Sequence, residues 1–374
     1  MIPFNRATVA EHQLDYVRRA MEQHSSGDGP FGREAERMLV DATGAKRALL
    51  TTSCTHALEL SALLLDLRPG DEVIVPAFTF VSTASAFALR GATPVFCDVR
   101  ADTLNLDESL LESKITPRTR AIVPVHYAGV ACEMDDLISI TRPRGLAIVE
   151  DNAHGLFGSY KGKPLGSFGA LATQSFHETK NISCGEGGAL LVNDERLFER
   201  AEILREKGTN RSRFFRGQVD KYTWIDVGSS WVLSDVLGAI LLAQLEARAS
   251  IQQRRRCIWE RYAVELADWA CSNDVRLPVV PPHCEQAFHM FYVLLPDLSR
   301  RTAFIDHLGR AGVKAVFHYQ PLHLTPKGHE LGTARAGECP VTERVADCLV
   351  RLPFYADLAD DDQGRVIDAV RAFR

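Results

Sequence analysis

Three residue types that can do covalent and acid–base chemistry recur where apolar runs end in this sequence. The run Ala147-Ile-Val-Glu-Asp151-Asn-Ala-His154 closes on a carboxylate and sets an imidazole three residues further on. Ser175-Phe-His-Glu-Thr-Lys180-Asn181 sets a lysine just past another run, and Gly185-Glu-Gly-Gly188 follows it. A third run ends in Thr51-Thr-Ser53-Cys-Thr55-His, which opens a helical pattern. Hydroxyls and free backbone N–H groups at a helix N-terminus make a cradle for phosphate. A fourth, Pro76-Ala-Phe-Thr-Phe80, supplies a flat apolar ring. Taken alone, Lys180 reads as a surface lysine and the glycines as a turn. Ligand sites in parallel α/β sheets lie beyond the carboxyl ends of strands, so four such ends together point to one site.

One cofactor uses all of these parts. Pyridoxal phosphate needs a lysine amine to condense with its aldehyde and a carboxylate against its pyridine nitrogen. It also needs a phosphate cradle and an apolar surface over its ring. Other chemistries find less support. There is no GxxxxGK[ST] and no GxSxG, and His177-Glu-Thr-Lys-Asn181 starts like HExxH but ends in Asn. His318, His323 and His329 are separated by Pro321, Pro326 and Gly328, which read as a loop, and no metal is expected.

The elements that must position these residues follow from hydrophobic period. Candidate strands are Arg47–Thr51, Glu72–Pro76, Pro94–Val99, Ala121–Val125, Ala147–Glu150, Ala172–Phe176 and Gly188–Val192. Helical patterns lie between several of them, at Ala57–Leu67, Thr83–Leu89 and Asp135–Thr141. Runs apolar on both faces, such as Ala147-Ile-Val149, suit buried parallel strands, and the alternation predicts an α/β domain with a mostly parallel sheet. One long helix is expected over Ser234–Trp269. Beyond it, strands at Phe291–Leu295 and Val313–His318 and helices near Ala303–Ala311, Val341–Cys348 and Asp361–Phe373 predict a smaller α+β domain. The domains are expected at 1–250, including an N-terminal arm, and at 251–374.

Composition agrees with an ordinary globular protein. Hydrophobic residues make up 46% and charged residues 24%, and 43 basic against 48 acidic residues give a net charge of −5. That charge does not suit a nucleic-acid binder. Nine cysteines without CxxC spacing favour a reducing compartment over a disulfide framework. With no signal-peptide pattern and no apolar run near the ~20 residues that span a bilayer, a cytoplasmic protein is expected.

Seven motifs in order resemble the DegT/DnrJ/EryC1/StrS sugar aminotransferases over nearly the whole chain. They are Thr52–Thr55, Pro76–Thr83, Pro124–Gly129, Glu150–His154, Ser175–Asn181, Gly185–Gly188 and Phe317–His323. The resemblance implies the aspartate aminotransferase-like fold (fold type I), with a seven-stranded sheet and a homodimer whose sites lie at the subunit interface. It implies that Lys180 binds the cofactor and moves protons, and that Asp151 pairs with the pyridine nitrogen. His154 would lie near the phenolic oxygen and Phe80 on the ring, with Cys54, Thr55 and Ser175 on the phosphate. Ser230 stands where many relatives carry an Asn that reaches the partner's phosphate.

Met1–Asn5, Val123–Asp135 and above all Glu206–Trp224 resemble one branch of the family. That branch moves the amino group of L-glutamate to C4 of dTDP-4-dehydro-6-deoxy-D-glucose for enterobacterial common antigen or lipopolysaccharide. Its product is dTDP-4-amino-4,6-dideoxy-D-galactose. The loop 207–224 holds Lys207, Arg211 and Arg213 beside Phe214, Phe215, Tyr222 and Trp224. It reads either as a solvated surface or as a seat for a diphosphate-linked nucleotide, and the nucleotide is preferred. Tyr319 and His323 are expected at the sugar. The alternatives are a 3-keto nucleotide-sugar aminotransferase and a non-catalytic regulator on the same fold. The second is disfavoured because Lys180 and Asp151 are both present.

Overall fold

The computed structural model describes residues 1–374. Its central sheet is built from β1 (Arg47–Thr51), β2 (Glu72–Pro76), β3 (Thr93–Cys97), β4 (Thr119–Ile122), β5 (Ala147–Asp151), β6 (Leu171–Ser175) and β7 (Gly188–Val192). Their spatial order is β1-β7-β6-β5-β4-β2-β3, and only β7 runs against its neighbours. Strands β2 and β7 are buried at every residue, because helices cover both faces of the sheet. Thr51 at the end of β1 and Ser175 at the end of β6 both sit opposite Gly188, in one row. Asp151 at the end of β5 pairs with Thr173 in the register next to that row.

The helix after β1 starts earlier than its apolar period suggests. Helix α1 (Cys54–Leu64) begins three residues before the expected Ala57, because Ser53 caps it. The Ser53 hydroxyl accepts from the His56 N–H at 3.1 Å, a cap worth about 1 kcal/mol. That shift places Cys54 and Thr55 in the first turn, where backbone N–H groups have no partner within the helix.

The expected single helix over Ser234–Trp269 is three: α2 (Asp235–Glu246), α3 (Arg248–Glu265) and α4 (Ala267–Ser272). The chain turns at Ala247 and Leu266, whose ψ angles lie near zero. The breaks let each part face a different core. Leu241, Leu242 and Leu245 of α2 pack with Leu39, Leu50 and Leu191, whereas Ile258 and Tyr262 of α3 pack with Phe291, Phe304 and Val350.

The small domain carries a three-stranded sheet of β8 (Tyr292–Leu294), β9 (Val316–Phe317) and β10 (Leu349–Arg351), with β10 central. The boundary at residue 250 needs correction at both ends. The N-terminal arm joins the small domain: Ile2 bridges Val313, and the Phe354 N–H donates to Phe4 O at 3.2 Å. Ile2 is buried among Phe291, Phe304 and Leu308, which the large-domain sheet could not have offered it. Residues 321–339 go the other way. The Leu322 N–H donates to Ala77 O at 2.9 Å, and Leu322, Ala334 and Cys339 join the large-domain core. Each core is thus completed by a segment distant in the chain.

Candidate active site

The carboxylates of Glu150 and Asp151 are neighbours in sequence and do different work, since successive strand residues face opposite ways. Glu150 is fully buried and accepts from the backbone N–H groups of Gly166, Phe168 and Gly169 at 2.7–2.8 Å. Its Oε2 also meets His126 Nε2 at 3.0 Å, so this carboxylate is spent on holding the loop after β5. Asp151 faces the strand-end row. Its Oδ2 accepts from Thr83 Oγ1 at 2.7 Å and its Oδ1 from the Ala153 N–H at 3.2 Å. Burial raises its pKa, against the hydrogen bonds from Thr83 and Ala153 and the charge of Lys180.

Lys180 lies within the electrostatic reach of both Asp151 and Cys54. Burial lowers its pKa to about 8, although both neighbours favour its charge. About a tenth of such an amine is neutral at pH 7, far more than for an exposed lysine. His154 is buried and stacks on His289 with ring centroids 4.2 Å apart. Burial and the nearby Lys180 hold it neutral, and its Nδ1 is enclosed without a partner.

The cradle is shaped by glycine. A Cβ on Gly188 would lie 2.3 Å from Ser53 C and 2.4 Å from Cys54 N, so only glycine leaves the first turn of α1 open. Thr55 Oγ1 meets Ser82 Oγ at 2.8 Å, and Ser175 faces Gly188 across the β6–β7 pairing. The Cys54 thiol is pushed up to about 12 by burial, so it stays protonated, and its backbone N–H is the useful group. Phe80 is 56% exposed, with its ring 6.3 Å from that of Tyr319. Tyr319 stacks on His318 at 3.5 Å, and His318 Nδ1 meets the Tyr127 hydroxyl at 2.7 Å.

Sequence reasoning missed Thr83, Tyr127, His289 and His318, which support Asp151 and His154 from other elements. Thr83, Tyr127 and His318 lie within the motifs Pro76–Thr83, Pro124–Gly129 and Phe317–His323, whereas His289 stands in none of them.

Other expected residues fall elsewhere. His323 is fully buried, with Nε2 3.0 Å from Glu343 Oε1 and its ring against Phe96. A side chain with no exposed surface cannot meet a sugar arriving from solvent, so the expected sugar contact is corrected to a structural role. The loop 207–224 is less positive than its own residues suggest. Lys207 and Arg211 both reach Glu206 Oε1, at 2.8 and 3.1 Å, and Arg213 reaches Glu199 at 3.0 Å. These three form no hydrogen bond or ion pair with Lys180, Asp151 or His154. Ser230 is exposed on the extended segment that passes β1.

The arrangement fits pyridoxal phosphate: a buried amine, a buried acid, an enclosed imidazole nitrogen with no partner, and a backbone cradle that a Cβ would fill. The model of the DegT/DnrJ/EryC1/StrS aminotransferase family matches residues 7–371. The chain belongs to that family. Sugar aminotransferase CalS13 from Micromonospora echinospora superposes with a TM-score of 0.88 at 28% identity, covering 100% of both chains. The PLP form of Spr1654 from Streptococcus pneumoniae gives a TM-score of 0.92 at 29% identity, covering 100% of this chain and 98% of the other. Spore coat polysaccharide biosynthesis protein SpsC from Bacillus subtilis is 32% identical over 378 residues, which is 99% of this chain and 96% of SpsC.

This enzyme is thus a sugar aminotransferase of fold type I, and pyridoxal phosphate is its cofactor. When bound, the cofactor supplies an electron sink for the carbon that loses its proton. The chain does the rest. Lys180 would hold the cofactor, and it offers an amine whose pKa suits proton transfer near neutrality. Asp151, steadied by Thr83, would be the acid to pair with the pyridine nitrogen and keep it protonated. No helix is long and apolar enough to cross a membrane.

Proposed function

We propose that the enzyme moves the amino group of L-glutamate to C4 of dTDP-4-dehydro-6-deoxy-D-glucose. The products are 2-oxoglutarate and dTDP-4-amino-4,6-dideoxy-D-galactose. The observation that carries the transfer is the buried Lys180 amine beside Asp151, with a pKa near 8. Lys180 takes the proton from Cα of glutamate in one half-reaction and returns one to C4 of the sugar in the other. His154 holds the phenolic oxygen and Phe80 covers the ring. Cys54, Thr55 and Ser175 hold the phosphate, and Tyr319 contacts the sugar.

The nucleotide is read from the loop 207–224. Lys207, Arg211 and Arg213 pair with acids at 41–53% side-chain exposure, so a diphosphate can reach them from solvent. The choice of C4 and the galacto configuration rests on the resemblance of Glu206–Trp224 to one branch. A role in polysaccharide synthesis is favoured by the likeness to SpsC, whose name states that role. Nine unpaired cysteines fit the reducing cytoplasm.

A homodimer completes this reading. Phe215, Tyr222, Trp224, Ile225 and Val227 are each more than half exposed along one loop, a patch that monomers rarely show to water. Ser230, close behind it in sequence, would reach the partner's phosphate.

The test is to supply glutamate and dTDP-4-dehydro-6-deoxyglucose and to determine the product by NMR. A 4-amino sugar of galacto configuration is expected. No product from this sugar, with turnover of a 3-keto isomer, would move the enzyme to the 3-amino branch.

A further inference from the structure

The short segment Ala287–Met290, which leads into β8, is held far more tightly than a connector requires. The Ala287 N–H donates to Gly129 O at 2.9 Å. Arg255 on α3 is buried, and it donates from Nε to Phe288 O at 2.9 Å and from Nη2 to His289 O at 2.6 Å. Phe288 has φ 50°, in the left-handed region that a residue with a side chain seldom enters. A withdrawn guanidinium and a strained backbone both cost stability, and such costs gather where one side chain must be aimed. The side chain aimed here is that of His289.

Its hydrogen bond fixes its tautomer. Asn181 Nδ2 lies 2.6 Å from Ala287 O and 3.2 Å from Gln252 Oε1. A carbonyl can only accept, so the amide nitrogen of Asn181 is the atom on that side. Its Oδ1 therefore faces His289 Nδ1, 2.9 Å away, and must accept from it. Burial holds His289 neutral, with the charge of Lys180 adding to the effect. The one ring proton is thus on Nδ1. The face of the same ring lies on His154, with 4.2 Å between centroids and 17° between planes.

We propose that His289 is a positioning residue that sets Lys180 and His154 in register with each other. The inference deepens the roles proposed for those two and rests on the reading that His154 meets the phenolic oxygen. In pyridoxal phosphate the aldehyde and the phenolic oxygen are carried on adjacent ring carbons. The groups that meet them must therefore be set closely against one another. Lys180 and His154 lie beyond the ends of β6 and β5, where the sheet no longer fixes them. His289 touches both sides: its proton goes to the residue that follows Lys180, and its ring fixes the plane of His154.

The tautomer is read directly by ¹⁵N NMR of the full-length apoenzyme. The His289 signal, assigned by its loss in His289→Phe, should show the proton on Nδ1, and a proton on Nε2 would overturn the proposal. Two further readings follow visible absorption after pyridoxal phosphate is mixed with the apoenzyme. The rate at which the band grows reports capture of the aldehyde by Lys180, and the band position at fixed pH reports the surroundings of the phenolic oxygen. His289→Phe keeps a ring on His154 and lacks the donor, so capture should slow about tenfold with the band in place. His289→Asn lacks the ring, but its amide nitrogen can stand where Nδ1 stood; the band should shift while capture stays within about threefold of wild type. Equal effects of both variants on both readings, or no effect on either, would show a ring that only fills space. Should His289→Phe fail to fold, Asn181→Ala removes the same hydrogen bond from the other side, and unchanged capture there sinks the link to Lys180. A band that His154→Ala leaves unmoved would end the phenolic-oxygen reading and the His154 half of the proposal, while the capture rates would still decide the Lys180 half.

Discussion

Thr83 Oγ1 donates to Asp151 Oδ2 at 2.7 Å, and Thr83 in turn meets Thr79 Oγ1 at 2.9 Å. All three side chains are buried. The Asp151 carboxylate is therefore oriented by a helix that follows β2, and not only by its own strand. Thr83→Val keeps the shape and removes the hydroxyl. It should raise the pKa of Asp151 further and weaken pyridoxal phosphate binding about tenfold, the worth of one hydrogen bond to a charged group. Spectroscopic titration of the apoenzyme measures this, and Thr83→Ser should restore affinity. Equal affinity in Thr83→Val would remove the threonine from the site.

Gly188 is the spacing element of the cradle. In Gly188→Ala the new methyl meets the Ser53–Cys54 backbone at 2.3–2.5 Å, and backbone cannot swing aside as a long side chain would. A loss of about 1–3 kcal/mol in stability is expected, with a larger loss of cofactor affinity. Urea unfolding of the apoenzyme and cofactor titration separate the two effects. A variant that binds the cofactor normally would show that the first turn of the helix is not the phosphate seat.

The buried Lys180 makes a signed prediction about pH. Its folded pKa, about 8, lies below the ordinary lysine value of 10.5. Between these values the unfolded chain holds a proton that the folded apoenzyme has lost, so stability rises with pH across that window. Lys180→Met lacks the penalty. It should exceed the wild-type apoenzyme by on the order of 2–3 kcal/mol at pH 7, and the advantage should fade from pH 8 to pH 10.5. Urea midpoints of both proteins at four pH values test it. A constant difference across the range would place Lys180 in solvent.

The exposed loop yields a prediction about assembly. Trp224 is 77% exposed and Phe215 69%. If a second copy covers them, the double variant Trp224→Glu with Phe215→Glu should sediment as a monomer and lose turnover, while its folded far-UV spectrum persists. A wild-type monomer in analytical ultracentrifugation would end the dimer reading.

How much the sequence disclosed differs from element to element. The strands Arg47–Thr51, Glu72–Pro76 and Gly188–Val192 match their expected limits residue for residue, because turn residues bound short runs that are apolar on both faces. The helix over Ser234–Trp269 was misjudged as one piece. A 3.6-residue period continues through Ala247, and nothing local says that the two halves face different cores.

The sequence by itself determined the chemistry on offer: one lysine, one acid and one hydroxyl-rich turn at strand ends, in an order that few folds use. Only the tertiary structure decided which neighbours tune them. Whether His323 meets ligand or Glu343 depends on residues far apart in the chain that packing brings together. Local pattern reports which face an element buries. It does not report what comes to lie against that face, and there the charge of Lys180 is set.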